Sequence, residues 1–464
     1  MTGLIPKLRT LLDARSFLYI PFAIALLFSL PVFGTVLPGL AILVLLLAVT
    51  LFVSKSILPA CYTFFAMICL GILLFPNFSP VLEYWYVSLP AAAGVILHPI
   101  LYRKEFHPGI SFRGILACSA AVLLGGLGTI AVKEYFHPVS LFYVFSLSGG
   151  LVIAYFFFSS ECAGDLKGQI GERYLWMMLL CGVVNSGILL FRCLQTFIVD
   201  GGVLYSANYL HRIPFRNTVA TFLNMALPTP FFFALSAEKP WKKSLFFLLG
   251  GVFYFSLVLS AARTALLFGT VHMLLCIAYY FWKEKEKSIR RLHGIALAVL
   301  VITIMIFLKE AFFRVLLTKL DGGMVEANEE RFILMFRSGK DFLSNPLFGI
   351  GLGSMKNADI YWAEGCICWY HMYIPQVIGS MGLVGIVTFG YALFLRGRLA
   401  LHHMDRCGLA ISMTYLGLFL CSQTDPGEFA PVPFAILAVM AFAILENRRE
   451  HRLQTCFLKR KPAK

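Results

Sequence analysis

Apolar stretches of about 20 residues recur along most of this 464-residue chain. A stretch of this length spans the hydrocarbon core of a bilayer when it is helical, because a helix pairs its own backbone polar groups. Hydrophobic residues make up 59% of the sequence and charged residues only 14%, whereas about a quarter of the residues in a soluble domain are charged. The sequence therefore predicts an all-α fold, a polytopic transmembrane helical bundle.

The apolar stretches predict twelve to fourteen transmembrane helices. The candidates lie at residues 17–34, 35–53, 56–75, 82–102, 114–132, 139–158, 174–198, 218–236, 244–260, 264–282, 293–309, 373–395, 407–421 and 431–446. We therefore expect transmembrane helices with short loops over residues 1–309, a long loop over 310–372, C-terminal transmembrane helices over 373–446 and a basic tail over 447–464. Apolar residues at helical spacing in AFFRVLLTKL and EERFILMFRSGKDFL predict short helices on the membrane surface within the long loop.

The orientation follows from lysine and arginine, which accumulate in short cytoplasmic loops. When the spans are counted, the basic segments all fall on one side; they are PKLRTLLDARS, YRKEFHPGISFR, EKPWKK, KEKEKSIRR, RGRLALHHMDR and NRREHRLQTCFLKRKPAK. That side is predicted to be the cytoplasm, with both termini on it. The net charge of +15 is explained by this bias, so no nucleic-acid partner is expected. The long loop has no basic excess and is predicted to be extracytoplasmic.

Polar residues that bear on function gather on the extracytoplasmic side. Arg216 begins a span, Arg263 lies in a tight turn between two spans, and Arg331 lies in the long loop. A planar guanidinium suits two oxygens of a phosphate, and charges near bilayer depth are candidates for function. The alternative for each arginine is a side chain that reaches a lipid headgroup. The three together favour a polyprenyl diphosphate, with its tail in the bilayer and its head at this surface.

His371 ends the long loop, at the start of the next apolar span. One explanation is a helix cap or a headgroup contact. The other is a general base, because the ordinary pKa of histidine lies near neutrality and allows it to take a proton from a sugar hydroxyl. The sequence contains no phosphate-binding loop and no convincing zinc motif, so no cofactor is expected. Cys366 and Cys368 form a C-x-C pair, which is a candidate disulfide or, with less support, a metal site.

The spacing around His371 resembles that of the bacterial O-antigen ligase/polymerase superfamily. NPLFGIGLGSM is followed by His371 and Met372, then by nine residues from Tyr373 to Met381, and then by Gly382 and Gly385. Met372 departs from the family, which usually has asparagine, serine or glutamine there. The resemblance extends over about residues 210–390, and its further elements are SAAR at residues 260–263, RNTVATFLN from Arg216 and ERFILMF from Glu330.

The resemblance implies a metal-independent, inverting glycosyltransferase of lipopolysaccharide assembly in the bacterial inner membrane. The donor is a glycan on undecaprenyl diphosphate at the periplasmic face, and the acceptor is a sugar hydroxyl of lipid A–core. His371 would be the base, Arg216 and Arg331 would hold the diphosphate, and Arg263 would support them. Glu330 would orient Arg331, or would only favour a helix start.

Other functions stay open at this point. A polymerase of the same superfamily would extend the glycan on its lipid carrier, although the histidine–glycine spacing is that of ligases. A protein glycosyltransferase is usually longer. A transporter or lipid flippase would have internal repeats with paired broken helices, and no convincing repeat is found. A membrane scaffold would not require polar residues aligned on one face.

Overall fold

The computed structural model describes residues 4–30, 34–74, 83–131, 138–165, 168–199, 216–307, 324–352, 370–401, 405–425 and 427–460. Within these ranges the regular structure is helical and contains no β-strand, which confirms the all-α prediction. The α-helices are α1 (Leu4–Asp13), α2 (Tyr19–Phe28), α3 (Leu37–Val53), α4 (Leu58–Gly71), α5 (Leu89–Leu101), α6 (Ile110–Ala131), α7 (Pro138–Phe145), α8 (Leu151–Ala163), α9 (Ile170–Val199), α10 (Arg216–Ala226), α11 (Pro228–Ser236), α12 (Pro240–Leu259), α13 (Arg263–Lys283), α14 (Lys287–Phe307), α15 (Met324–Ser344), α16 (Tyr373–Leu401), α17 (Arg406–Ser422) and α18 (Ile436–Arg460).

Helices that can cross a membrane are found throughout the described residues. Six are long and apolar enough: Tyr143–Ala163, Ile170–Val199, Arg216–Ser236, Pro240–Leu259, Ala265–Lys283 and Tyr373–Leu401. A pair bent by 70°, Ile5–Asp13 with Arg15–Phe28, makes a seventh if it is one span, and shorter apolar helices include Leu37–Val53, Leu58–Leu74, Trp85–Leu101, Ile110–Gly126 and Arg406–Ser422. Each span predicted from the sequence overlaps one of the described helices. The protein is therefore a polytopic helical membrane protein.

The chain forms two compact units that alternate along the sequence. Unit 1 contains Met1–Glu105 and Glu172–Leu316, and unit 2 contains Phe106–Gly171 and Leu317–Lys464. The units cut across the predicted division into spans, long loop and C-terminal helices, because that division follows the chain and not its packing.

In unit 1, helices approach closely where glycine faces an aromatic ring. A Cβ on Gly182 of α9 would lie 2.5 Å from the ring of Phe253 in α12, and one on Gly250 would lie 2.9 Å from the ring of Phe231 in α11. Small residues of this kind bring helix backbones together in membrane proteins, where van der Waals packing drives association. Phe231 also contacts the ring of Tyr280 in α13. The helices α9, α11, α12 and α13 therefore form one packed group.

In unit 2, α16 packs against α6, α15, α17 and α18, and it is not a continuous helix. Gly382 has φ 59° and ψ −149°, which breaks the helix. The ring centroids of Tyr373 and Phe389 are 6.2 Å apart, although 16 residues of straight helix would separate their Cα atoms by about 24 Å. The two segments of α16 are therefore bent toward each other at Gly382.

Two predicted segments are more helical than the sequence indicated. In the long loop, where short helices were expected, the described residues of EERFILMFRSGKDFL belong to the 21-residue helix α15. The basic tail continues α18 as far as Arg460. The segment AFFRVLLTKL and the pair Cys366 and Cys368 lie outside the described residues.

Candidate functional site

His371 lies in the short turn that leads into α16. Its φ is 52°, in the left-handed region that residues other than glycine adopt infrequently. Its side chain is 36% exposed, while its neighbour Tyr370 is buried. An infrequent backbone conformation at a candidate catalytic position is consistent with a residue that the surrounding structure holds in place. The contacts of the neighbouring residues show how this is achieved.

The turn is held by a buried amide side chain. The backbone N–H of Tyr370 donates to Oε1 of Gln376 at 2.9 Å, and Nε2 of Gln376 donates to Oγ of Ser380 at 2.8 Å. Gln376 and Ser380 are both almost fully buried. The backbone N–H of Gln376 also donates to the carbonyl oxygen of Met372 at 3.0 Å. These bonds tie both sides of His371 to the first turns of α16.

A second set of bonds ties the turn to α15. The hydroxyl of Tyr370 donates to Oδ2 of Asp341 at 2.6 Å, and Nε of Arg337 donates to Oδ1 of Asp341 at 3.0 Å. Burial of Asp341 raises the pKa of its carboxyl above the ordinary value of 3.8, despite the opposing effect of Tyr370 and Arg337. The hydroxyl of Ser338 donates to the carbonyl oxygen of Pro375 at 2.8 Å. The segment around His371 is thus fixed between two helices.

Asp425 faces His371 and was not predicted from the sequence. Its Oδ1 lies 3.9 Å from Nδ1 of His371, and its side chain is 21% exposed. This distance is that of an ion pair when the histidine is protonated, and a small movement would make it a hydrogen bond. The signal in the sequence was the polar stretch QTDPGE between two apolar helices. That stretch is short and resembles an ordinary loop.

The segment of the long loop that follows α15, Asn345–Leu352, docks into the break of α16. The N–H groups of Ile350 and Gly351 donate to the carbonyl oxygens of Gly379 and Ser380 at 3.0 and 2.9 Å. Beyond the break, the N–H groups of Leu383 and Val384 donate to the carbonyl oxygens of Pro346 and Leu347 at 2.8 and 3.2 Å. The motif NPLFGIGLG therefore supplies backbone partners to both sides of the broken helix.

Glycines of the sequence motif make this docking sterically feasible. A Cβ on Gly349 would lie 2.4 Å from the backbone nitrogen of Met381, and one on Gly382 would lie 2.6 Å from the carbonyl oxygen of Pro346. A Cβ on Gly379 would lie 2.7 Å from the ring of Tyr370. Gly349 and Gly382 of the motif, and Gly379 beside it, thus have a packing role that the sequence did not reveal.

Arg331 lies on the face of α15 that contacts the His371 segment. It is half-buried, and Leu334, Ser338 and Asp341 follow it at helical spacing and are buried. Ser338 is seven residues further along, so Arg331 lies about 10 Å along the helix from the contact with Pro375. The structure thus places Arg331 and His371 on two packed elements of unit 2. The side chain of Glu330 lies outside the described part of the chain.

Arg216 and Arg263 begin two neighbouring helices of unit 1, α10 and α13. Nδ2 of Asn224 in α10 donates to the carbonyl oxygen of Ala265 in α13 at 3.0 Å. Arg216 is about 12 Å along α10 from Asn224, and Arg263 is about 3 Å along α13 from Ala265. Both arginines are exposed. The structure therefore places Arg216 and Arg263 at one end of a helix pair, while their convergence with Arg331 and His371 stays a prediction.

The turn before Arg263 has a defined geometry. Ser260 is buried, and its hydroxyl donates to the carbonyl oxygen of Leu257 at 2.6 Å and accepts from the N–H of Ala262 at 3.3 Å. Ala261 has φ 54°. The serine therefore closes the end of α12 and fixes the point at which Arg263 begins α13. Its role in the SAAR motif is structural.

No group of three His, Cys, Asp or Glu side chains that could hold a metal ion occurs in the ranges that the structure describes. Comparison with known proteins adds no assignment: no protein-family model, no curated protein and no solved structure matches this chain. The resemblance to the O-antigen ligase/polymerase superfamily thus rests on the residues and spacings of this sequence.

Proposed function

We propose that this protein is an O-antigen ligase, a membrane glycosyltransferase of lipopolysaccharide assembly. It transfers a glycan from undecaprenyl diphosphate to a sugar hydroxyl of lipid A–core at the periplasmic face of the bacterial inner membrane. The observation that carries this proposal is the partly exposed His371, held in the left-handed region with Oδ1 of Asp425 at 3.9 Å from its Nδ1. A histidine beside a carboxylate is suited to act as a general base.

In the proposed reaction, His371 takes the proton of the acceptor hydroxyl on Nε2. The acceptor oxygen bonds to the anomeric carbon of the donor as the bond from that carbon to the diphosphate oxygen breaks. The glycan is transferred with inversion, and undecaprenyl diphosphate leaves with the bonding electrons. Asp425 faces Nδ1 and stabilises the imidazolium that forms, as the aspartate does in other histidine–carboxylate pairs.

The arginines act on the leaving group. Arg331 lies on the face of α15 that contacts the His371 segment, and Arg216 and Arg263 begin adjacent helices of unit 1. In the proposal, Arg331 binds the diphosphate, and the same role for Arg216, with Arg263 as its support, stays an expectation from the resemblance. A guanidinium retains its charge and forms two parallel bonds to phosphate oxygens, so it stabilises negative charge that develops as the bond breaks.

The proposed orientation rests on the basic segments that flank the predicted spans. They fall on one side when the spans are counted, and this side is proposed to be cytoplasmic, with both termini on it. Reagents that do not cross membranes test this orientation. A single cysteine introduced at exposed Lys242, in the first turn of α12, should resist such a reagent in intact cells and react in inside-out vesicles, in a chain in which Cys366, Cys368 and Cys456 are serine. Labelling in intact cells would indicate the opposite orientation.

The reaction is tested with purified protein in lipid bilayers, lipid-linked glycan as donor and lipid A–core as acceptor. Wild-type protein should yield glycan bound to lipid A–core. His371→Ala should reduce the rate by about 10²–10⁴-fold, and Asp425→Asn by a smaller factor. His107→Ala is the matched control, because His107 is an exposed histidine of unit 2 that has no part in the proposed site.

Each other outcome of this assay would contradict one part of the proposal. Full transfer by His371→Ala would remove the base from the proposal. Growth of the glycan on its lipid carrier, with no product on lipid A–core, would indicate the polymerase. Movement of the lipid-linked glycan across the bilayer without a new covalent bond would indicate a flippase and would contradict both enzymes.

A further inference from the structure

A buried ion pair lies on the second segment of α16, away from His371 along the chain. Nη1 of Arg396 contacts Oε1 of Glu428, and the two side chains are only 16% and 7% exposed. Nη1 of Arg396 also donates to the hydroxyl of Tyr415 at 2.9 Å, and that hydroxyl lies 3.3 Å from Oε2 of Glu428. The guanidinium carbon is 5.3 Å from the ring centroid of Phe442. The mechanism proposed above does not use this pair.

A buried pair of charges in an apolar helical protein requires an explanation. Desolvation of the two ions offsets much of their attraction, and apolar residues of similar volume often give equal stability. Ionisable residues inside membrane-spanning segments are therefore candidates for function. Arg396 belongs to the candidate span Tyr373–Leu401. Stability alone does not account for the pair.

Glu428 belongs to the loop that carries Asp425, three residues earlier. The backbone N–H of Glu428 donates to Oγ of Ser422 at 3.1 Å. Gly427 has φ 51°, and a Cβ there would lie 2.0 Å from the same Oγ. The ion pair and the turn at Gly427 therefore hold the loop from two directions, directly after Asp425.

The same loop contacts both segments of α16. Phe429 is 2% exposed, and its ring centroid lies 5.3 Å from that of Tyr373 and 5.5 Å from that of Phe389. Tyr373 lies two residues after His371. The position of the loop relative to Arg396 is thus linked to its position relative to His371.

We propose that Arg396 and Glu428 form a positioning pair, which fixes the loop so that Asp425 faces His371. Neither residue touches the substrate; Arg396 acts on Glu428, and Glu428 acts on Asp425 through the backbone. The catalytic consequence of the pair rests on the proposed function. The effect of the pair on the distance between Asp425 and His371 does not depend on that function.

The geometric part is tested by cysteine crosslinking. His371→Cys and Asp425→Cys are combined in a chain in which Cys366 and Cys368 are serine, and the rate of disulfide formation is measured with a mild oxidant. Arg396→Met with Glu428→Leu should slow the crosslink about tenfold; apolar replacement of both ions is chosen because it often preserves folding. Arg448→Met is the control, because Arg448 is paired with Asp405 elsewhere in unit 2. It should leave the rate unchanged.

The catalytic part is tested with a double-mutant cycle in the transfer assay. Glu428→Gln should lower kcat about tenfold and leave KM nearly unchanged, since the substrate does not contact it. In an Asp425→Asn background the same change should have less than about a twofold effect, because the two residues act through one path. Arg396→Lys should retain more activity than Arg396→Met.

The two measurements fail separately. An unchanged crosslinking rate in the Arg396→Met/Glu428→Leu protein would overturn the positioning pair, whatever the enzyme does. If Glu428→Gln lowered kcat by the same factor in the wild-type and in the Asp425→Asn backgrounds, the pair would have a general structural role. That result would also overturn the inference. Absence of transfer by the wild-type protein would refute the proposed function, while the crosslinking rates would still decide the geometry.

Discussion

Replacement of Gly382 by alanine tests the broken helix on which the site is built. Gly382 has φ 59° and ψ −149°, a region that is essentially confined to glycine, and another residue held there costs about 1–3 kcal/mol. An added Cβ would also lie 2.6 Å from the carbonyl oxygen of Pro346 and 2.7 Å from the backbone nitrogen of Gly349. Because both neighbours are backbone atoms, the docked segment must move.

The total cost can be worked from the bonds at the break. Movement of the docked segment weakens the bonds from the N–H groups of Leu383 and Val384 to the carbonyl oxygens of Pro346 and Leu347. Each intramolecular hydrogen bond contributes about 1 kcal/mol. With the backbone strain, Gly382→Ala should destabilise unit 2 by about 3–5 kcal/mol.

Thermal unfolding in detergent micelles provides the assay. The described cysteines that are free are all buried, so a thiol-reactive fluorescent dye reports their exposure on unfolding. One kcal/mol shifts the midpoint by about 2–4 °C for a domain of this size, so the expected fall is roughly 6–20 °C. Gly390→Ala is the control, because Gly390 lies on the same helix and a Cβ there would meet nothing within 4 Å.

Gly390→Ala should leave the midpoint unchanged or raise it, since alanine is favoured over glycine in a helix by about 1 kcal/mol. The reasoning would be refuted if Gly382→Ala and Gly390→Ala unfolded at the same temperature. It would also be refuted if Gly382→Ala were destabilised while the crosslink between positions 371 and 425 kept its wild-type rate.

Three further predictions concern other parts of the molecule. Gln376→Leu removes the partner of the N–H of Tyr370 and should destabilise the protein by about 1–3 kcal/mol, measured by the same dye, with a loss of transfer. Lys243→Met leaves the buried carboxylate of Glu284 without its cation and should cost about 3–5 kcal/mol, seen as a lower midpoint that Lys243→Met/Glu284→Leu partly restores. Burial acts to raise the pKa of Glu284, but hydrogen bonds from the backbone N–H of Glu286 and from the Lys243 ammonium hold it below the ordinary value of 4.5. This carboxylate therefore contributes stability above pH 4.5 that is lost as the pH falls through its folded pKa. Glu284→Gln should therefore flatten the acid side of the midpoint–pH curve, and an unchanged curve would contradict this.

The helices were predictable because their signal is local. A stretch of about 20 apolar residues must be helical to satisfy its backbone in a bilayer, whatever the rest of the chain does. The predicted span at residues 174–198 corresponds to α9, Ile170–Val199, and the one at 264–282 to α13, Arg263–Lys283. Arg263, which was expected in a tight turn, lies directly after one, as the first residue of α13. The features that could not be predicted from the length of an apolar stretch are those that depend on contacts between residues distant in the sequence.

The break in α16 is such an element. Residues 373–395 are mostly apolar and predict one span. The backbone bends at Gly382 because the segment that begins at Pro346 enters the break and supplies partners on both sides. A glycine inside an apolar helix does not by itself predict a break. Here the helix breaks at Gly382 because backbone groups more than 30 residues earlier in the sequence bond to both sides of the break.

Asp425 was not predicted as a site residue, for a related reason. It lies in a short polar stretch between the predicted spans at 407–421 and 431–446, where polar residues are ordinary. Its distance of 3.9 Å from His371 depends on how the loop packs against the two segments of α16. A sequence shows which side chains are titratable, but it does not show which of them are brought together when both lie in turns.

The geometry of the site therefore depends on two segments that are distant from His371 in the sequence or in the helix. These are the break at Gly382 and the loop that carries Asp425. The break at Gly382 sets the direction of the first segment of α16 and hence the position of His371. The loop held by Arg396 and Glu428 sets the position of Asp425. Since Phe429 contacts Tyr373 on one segment and Phe389 on the other, a change in the bend also moves the loop. Variants at Gly382 and at Glu428 should consequently alter the same distance, and their effects on the crosslinking rate should be less than additive.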